Sequence, residues 1–352
     1  MNEEIVMPGS LDTEEIRAVR KQAEDLAGDD RVLKAVQTQQ CKMNLVDPGM
    51  AGEYDAYNLE PIQICDNLYF TGSSYVGGFI FTDPDGIFII DSGWQDMTMP
   101  TLIGGMKKLG LDPSKIRYMA VTHFGPDHFG AAYYLQKTYG TRIIMSREEW
   151  DREPEPQVNA ERIYASEQPG YHFVRGMFGN DCWPQKDIIG KDGDIYSVGS
   201  LKVHVYETAR RVNGGGLSYI VENVYDNGQP HVFATYGNTN VVGKAEDIAV
   251  YHKCVRHFCQ EAEVLGVDMI ISDHPFVDDS IVTMQALRER KAGEPNPFVR
   301  TKEWALRFLR ILDLSASVIE LRQLADLNES GNGKWVPNPR HFKPTQAPAS
   351  KA

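Results

Sequence analysis

The stretch Thr122-His123-Phe124-Gly125-Pro126-Asp127-His128-Phe129-Gly130 gathers two imidazoles and a carboxylate into one short segment. Imidazole nitrogens with a carboxylate oxygen form a ligand set suited to zinc or iron. The segment follows an apolar run, Ile116 to Val121, and precedes a helix-like stretch from Gly130 to Tyr139. The polar cluster therefore falls where a strand ends and a helix begins, a usual place for sites in α/β proteins, and its side chains can point inward together. A second candidate turn, Ser272-Asp273-His274-Pro275, follows the apolar triplet Met269-Ile270-Ile271.

The elements that would position these turns are legible as runs. Residues 11–40 are charged and helix-favouring and predict an N-terminal helical extension. From Pro61 the texture changes to short β-rich runs: Leu68 to Phe70, Gly78 to Phe81 and Gly86 to Asp91. A helix over about Thr98 to Leu109 leads into the strand carrying His123, and a further strand covers Arg142 to Met145. After an irregular stretch from Glu148 to Lys186, strands are expected at Ile195 to Val198, Leu201 to Tyr206, Leu217 to Glu222 and His231 to Thr235. A helix over Ala245 to Leu265 precedes the Met269 strand, residues 301–325 read as a C-terminal helix, and the last dozen or so as a loose polar tail. Strand–helix alternation in two successive halves predicts a layered fold, a pair of sheets covered by helices.

Composition narrows the function classes. The 352 residues are 42% hydrophobic and 24% charged, enough for a full core in one or two domains. A net charge of -13 without a Lys/Arg block argues against nucleic acid or an anionic membrane as partner. The start, MNEEIVMPGS, lacks the basic and apolar regions of a signal peptide, and no apolar stretch approaches membrane-spanning length. Five scattered cysteines do not suggest a disulfide framework, so a reducing cytoplasm is the expected compartment.

Taken in order, these motifs resemble the metallo-β-lactamase superfamily, and most of all its third lactamase subclass. The resemblance runs from about Pro61 to Phe298 and rests on Asp91-Ser92-Gly93 after an apolar strand, T-H-x-x-x-D-H, Asp192-Gly193-Asp194 with Gly199, and Asp273-His274-Pro275. It implies a four-layer αβ/βα sandwich over 61–300, with residues 1–60 and 301–352 as helical extensions. It also implies a metal centre. The family's double-metal motif H-x-H-x-D-H is matched by His123, Asp127 and His128, but Gly125 stands where the second histidine is expected. The family's middle histidine is absent from Glu207 to Gly216, where Arg211, or Arg210 one residue earlier, is its counterpart. His274 matches the last ligand, and Asn238 stands where many relatives carry a bridging aspartate.

The losses fall on one half of a two-metal centre, so the resemblance implies one zinc, or iron, on Asp127, His128 and His274. Three protein ligands with an open position suit a catalytic metal. Arg211 would then act as a second positive charge toward a substrate carboxylate or developing negative charge. For His123, metal ligation competes with general-base and substrate-contact roles. Asp91 resembles the aspartate that orients a ligand histidine, with turn capping as the alternative. Trp94 and Tyr236 adjoin motif positions and could line the pocket or simply pack the core; the aromatic stretch from Tyr171 to Phe178 with Trp183 could form a lid or pack on itself. His252, Cys254, His257 and Cys259 do not share one helix face and make a poor second metal site.

The expected activity is hydrolysis of a small, anionic and partly apolar or aromatic amide, lactone or ester, with Asp127 or His123 handling the proton. β-Lactam hydrolysis is not the expected task. A lyase, isomerase or redox enzyme on the same fold is an alternative, as is a binding or scaffold protein that self-associates through its helical extensions.

Overall fold

The computed structural model describes residues 12–41, 57–151, 183–209, 212, 214–239 and 245–325. Two sheets stack face to face, each with helices on its outer side. The first has seven strands in sequence order: β1 (Ile62–Cys65), β2 (Leu68–Gly72), β3 (Gly77–Asp83), β4 (Gly86–Ile90), β5 (Ile116–Ala120), β6 (Arg142–Met145) and β7 (Ile188–Ile189). Strands β1 to β4 pair antiparallel, and β4 to β7 pair parallel. The second sheet contains β8 (Ile195–Val198), β9 (Leu201–Glu207), β10 (Leu217–Asp226), β11 (Gln229–Thr235) and β12 (Met269–Ile270) in the order β12-β11-β10-β9-β8. It is antiparallel except for the β11–β12 pair.

Side-chain alternation makes the layers. In β3, Phe79 and Phe81 enter the core between the sheets while Ile80 faces the outer helices; in β4, Phe88 and Ile90 point inward and Ile87 and Ile89 outward. In β10, Leu217, Tyr219 and Val221 face the first sheet, and Ile220 faces the other way. Strands buried on both faces must be apolar at every position, which is why β3 and β4 read as unbroken apolar runs.

Helices α3 (Gly104–Lys108), α4 (Ala132–Tyr139) and α5 (Arg147–Trp150) belong to the first half of the chain; Met106, Leu135 and Trp150 cover the outer face of the first sheet. The expected helix over Thr98 to Leu109 is a π-helical turn, Thr98–Ile103, running into α3. On the other side lie α6 (Ala245–Leu265), α7 (Ser280–Glu289) and α8 (Lys302–Leu324), joined by the N-terminal α1 (Glu14–Ala27) and α2 (Arg31–Gln40). The expected single N-terminal helical stretch is thus two helices. Gly28, at φ 55°, ends the first, and the Asp30 side chain caps the second by accepting from Leu33 N at 3.0 Å. Tyr251 and Phe258 of α6 and Phe308 and Leu312 of α8 pack with Val32, Leu33 and Val36 of α2 over the second sheet.

A buried ion pair ties Asp12, just ahead of α1, to the C-terminal helix α8. Arg322 of α8 donates to Asp12 through Nε at 2.8 Å and Nη2 at 2.9 Å, and to the Cys41 carbonyl at 3.0 Å. Both charged side chains are fully buried. Among the described residues, no helix is long and apolar enough to cross a membrane.

Candidate metal centre

The turns that end β4, β5, β11 and β12 meet at one rim of the sandwich. Direct hydrogen bonds hold the two sheets in register there: Leu217 N donates to Thr122 O at 2.6 Å, the Tyr219 hydroxyl to Val121 O at 2.7 Å, and Gly77 N to Asp273 O at 3.0 Å. A cavity of about 240 Å³ opens at this rim, and its wall includes Tyr75, His123, Phe124, Asp127, His128, Asn238, Asp273 and His274.

Asp127, His128 and His274 bring one ligand atom each to within 4.8 Å of the others. His128 Nε2 lies 3.3 Å from Asp127 Oδ2, and His274 Nε2 lies 3.8 Å from the same oxygen. Three atoms bound tetrahedrally to zinc at about 2.1 Å stand roughly 3.4 Å apart, so the spacing suits a single ion. The proton positions suit it too. His274 Nδ1 donates to the Tyr75 carbonyl at 2.9 Å, and His128 Nδ1 donates to Asp91 Oδ2 at 2.9 Å. Each ring therefore presents Nε2, the nitrogen nearer Asp127, as the available lone pair.

His128 carries the strongest observation. Its Nε2 is buried and has no hydrogen-bond partner, although a carboxylate oxygen lies close by. A lone pair facing a carboxylate in a buried site is unfavourable unless a cation or a proton lies between them. The electrostatics of the bare protein say the same. Burial opposes charge on His128, but Asp127 and Asp91 outweigh it and hold the imidazole well above its usual pKa. Burial likewise opposes charge on Asp127, yet His128, His274 and His123 hold that carboxyl below the usual carboxylate range. The donor set and the partnerless nitrogen fit a bound divalent metal.

Asp91 does more than cap a turn. It takes a left-handed backbone at φ 58° just after β4 and accepts from Thr122 N at 2.8 Å, from the Thr122 hydroxyl at 2.7 Å and from His128. Burial pushes its carboxyl up to about 6 against the pull of His128. Asp273 Oδ2 also approaches His128 Nδ1, at 3.2 Å. The sequence reading used Asp273 only as a marker for His274; its place beside His128 depends on the sheet-to-sheet contact at Gly77, which a linear motif does not carry. The Tyr75 carbonyl was missed as well, because backbone acceptors leave no sequence signature.

His123 stands beside the three candidate ligands and is not grouped with them. Its ring centroid lies 3.9 Å from that of His128. The Thr122 hydroxyl spends its one proton on Asp91 and meets His123 Nδ1 at 3.2 Å as an acceptor. Gly125 is packed in: a Cβ there would lie 2.5 Å from Asp127 Oδ1 and 2.7 Å from His128 Cδ2. The turn has closed over the place where another histidine would project.

Asn238, at φ 65°, lines the cavity, and Trp94 packs with Met97 behind the Tyr75 wall. Tyr236 does not line it: strand alternation beyond β11 places its ring with Ala234 on the helix side, edge-on to Tyr251 and Phe258. Arg210 and Arg211 lie outside the described residues, as does the aromatic stretch from Tyr171 to Phe178. Trp183 is described, and it packs against Phe124 and Phe129, with ring centroids 4.8 and 5.2 Å away. The histidines of α6 pair elsewhere, His252 with Asp313 and His257 with Asp192.

Residues 72–241 match the model of the metallo-beta-lactamase superfamily. Solved structures with the same fold include a subclass B3 metallo-beta-lactamase of Bradyrhizobium japonicum, 20% identical, with 78% of this chain and 96% of that chain covered and a TM-score of 0.55. A metallo-beta-lactamase of Cronobacter sakazakii with a HARLDQ motif is 18% identical over 79% of this chain and 98% of that chain, with a TM-score of 0.56. A mutant of the Legionella gormanii metallo-beta-lactamase is 17% identical over 76% of this chain and 97% of that chain, with a TM-score of 0.58.

Proposed function

Since the chain carries a metallo-beta-lactamase superfamily domain over residues 72–241, we propose that it is a metal-dependent hydrolase with one zinc held by Asp127, His128 and His274. The observation that carries this reading is the buried, partnerless His128 Nε2, set beside Asp127 by a tautomer that Asp91 fixes. Bound there, the metal would act as a Lewis acid and lower the pKa of a coordinated water. Iron is the alternative occupant of the same ligand set.

The chain's own residues do the rest. Asp91 and Asp273 hold the His128 ring from its Nδ1 side, and the Tyr75 carbonyl holds His274. His123, whose ring lies against that of His128, is one candidate to take the proton released when water attacks and to return it to the leaving group. Asp127 is the other candidate for that proton. Glycine in place of the second histidine at position 125, and the lack of a histidine between Glu207 and Gly216, support one metal rather than two.

Tyr75, stacked on Phe276 at 5.4 Å, and Phe124, stacked on Phe129 at 4.9 Å, give the cavity two aromatic surfaces. They suit the apolar or aromatic part of a small amide, lactone or ester substrate. An anionic group on that substrate would be met by Arg211 or Arg210. Free Cys41, Cys65, Cys254 and Cys259 suit a reducing cytoplasm. To test hydrolysis, the zinc-loaded protein is incubated in heavy-oxygen water with a panel of aryl amides, lactones and esters. The expected product carries one solvent oxygen; turnover without label would point to a lyase or isomerase.

A further inference from the structure

We infer that the N-terminal extension is part of the scaffold of the metal site. Arg31 of α2 is a positioning residue for His274, a role that rests on the proposed metal centre and extends it beyond the cavity wall.

His274 sits in a turn that hydrogen bonds close from within. The buried Asp278 carboxylate joins the two ends of this turn: Oδ2 accepts from Ser272 N at 2.8 Å, and Oδ1 from Ser280 N at 3.0 Å and from the Ser280 hydroxyl. Ser272 Oγ accepts in turn from His274 N at 3.2 Å, and His274 O from Val277 N at 2.9 Å. Where residues 278–280 stand therefore helps to fix the backbone of the candidate ligand.

Asp279 is the weak point of the turn. Its backbone is left-handed at φ 56° and ψ 34°, which costs a non-glycine residue energy and persists where neighbours hold it. It precedes α7, where an aspartate side chain ordinarily caps the first amides, yet it makes no such bond. The carboxylate meets Arg31 instead. Arg31 Nη1 donates to Asp279 Oδ2 and, at 3.2 Å, to Asp279 O, while Nη2 donates to the Thr283 hydroxyl at 2.8 Å. One guanidinium fork thus spans the left-handed residue and the first turn of α7. The needs of α2 do not explain this arginine, because a positive charge in a helix's first turn opposes the helix dipole. Next along α2, Val32 shares the wall of a small cavity with Asp278, Ser280 and Thr283. Both charges of the pair are partly exposed, so the contact adds little to global stability and its effect falls on the turn.

Zinc affinity of the full chain, measured by competition with a chromophoric chelator, is compared with urea unfolding of the same variants free of metal. Arg31→Gln and Asp279→Gly should each weaken zinc binding by roughly 3- to 10-fold, with the unfolding midpoint close to that of the wild type. Glycine relieves the left-handed backbone, so weaker binding there does not come from added strain. The double variant should bind no more weakly than either single one, because both remove the same contact. Arg31→Lys keeps the charge without the fork and should fall between the wild type and Arg31→Gln. Arg142→Gln breaks another exposed pair, with Asp187 beside the first sheet, and should leave zinc affinity unchanged. Wild-type affinity in both single variants, additive losses in the double variant, or an equal loss in Arg142→Gln would overturn the assignment and leave the metal centre standing. So would a loss of affinity that only follows a lowered unfolding midpoint. A wild-type chain without zinc affinity would end the metal reading and this one with it.

Discussion

His128 and Asp91 form the pivot of the site: Nδ1 donates to Oδ2 at 2.9 Å, both side chains are fully buried, and the opposite nitrogen of the same ring is left without a partner beside Asp127. One hydrogen bond thus decides which face of the imidazole is available for a metal. The carboxylate that decides it comes from a different strand, and Thr122 ties both to the end of β5.

Asp91→Asn should separate orientation from folding. Asparagine tolerates φ 58° as well as aspartate does. Its amide nitrogen, however, can donate to His128 Nδ1 and drive the proton onto Nε2, where the metal would bind. Zinc affinity should fall by about 10- to 100-fold with the fold retained, as measured by competition with a chromophoric chelator and by circular dichroism. Unchanged affinity would mean that the pair is structural.

Gly125→His should not rebuild a second metal site. The new Cβ would press on Asp127 Oδ1 and His128 Cδ2, two of the three side chains proposed to hold the metal. Zinc affinity is expected to drop by roughly tenfold or more, and Gly125→Ala should show much of the same loss. A histidine variant that takes up two zinc ions tightly would show that the turn can reopen.

Phe124→Ala tests the aromatic wall. Phe124 packs on Phe129 and Trp183 and borders the cavity. Removing its ring should raise KM for an aromatic substrate by roughly 3- to 10-fold while zinc content stays the same. An unchanged KM would place the aromatic part of the substrate elsewhere.

Stability should depend on the buried pair Asp12–Arg322. Asp12→Asn leaves Arg322 buried without its counter-charge, so unfolding in urea should show a loss of about 3–5 kcal/mol. The pH dependence has a defined sign. Burial opposes charge on Asp12, but Arg322 and Arg20 hold its carboxyl below the usual value, so its stabilising effect is present above the ordinary carboxylate pKa of about 4 and is lost as pH falls through the lower, folded-state value. The wild-type chain should therefore lose stability on acidification over that window more steeply than Asp12→Asn.

Much of the fold was legible because strand parity and apolar runs are local. Arg142–Met145, Ile195–Val198 and Ala245–Leu265 fall where the runs place them. The break at Gly28 was also present in the sequence, as a glycine that ends one helix and an aspartate that caps the next, but the shared charged texture of residues 11–40 obscured it. The site was legible where one motif carried it, as at Asp127 and His128. It was not legible where the geometry depends on what another strand brings alongside: Asp273 beside His128, the Tyr75 carbonyl beside His274, and the closed space over Gly125. Tyr236 shows the converse: adjacency to a motif left the pocket and the core both open, and strand alternation turned the ring into the core.

Elemental analysis of the full chain, purified without added metal and compared with His128→Ala, tests the central claim most directly. The account predicts one zinc or iron per chain in the wild type and its loss in the variant, with the secondary structure of the variant unchanged. Two tightly bound ions per chain, or a variant that keeps its metal, would contradict it.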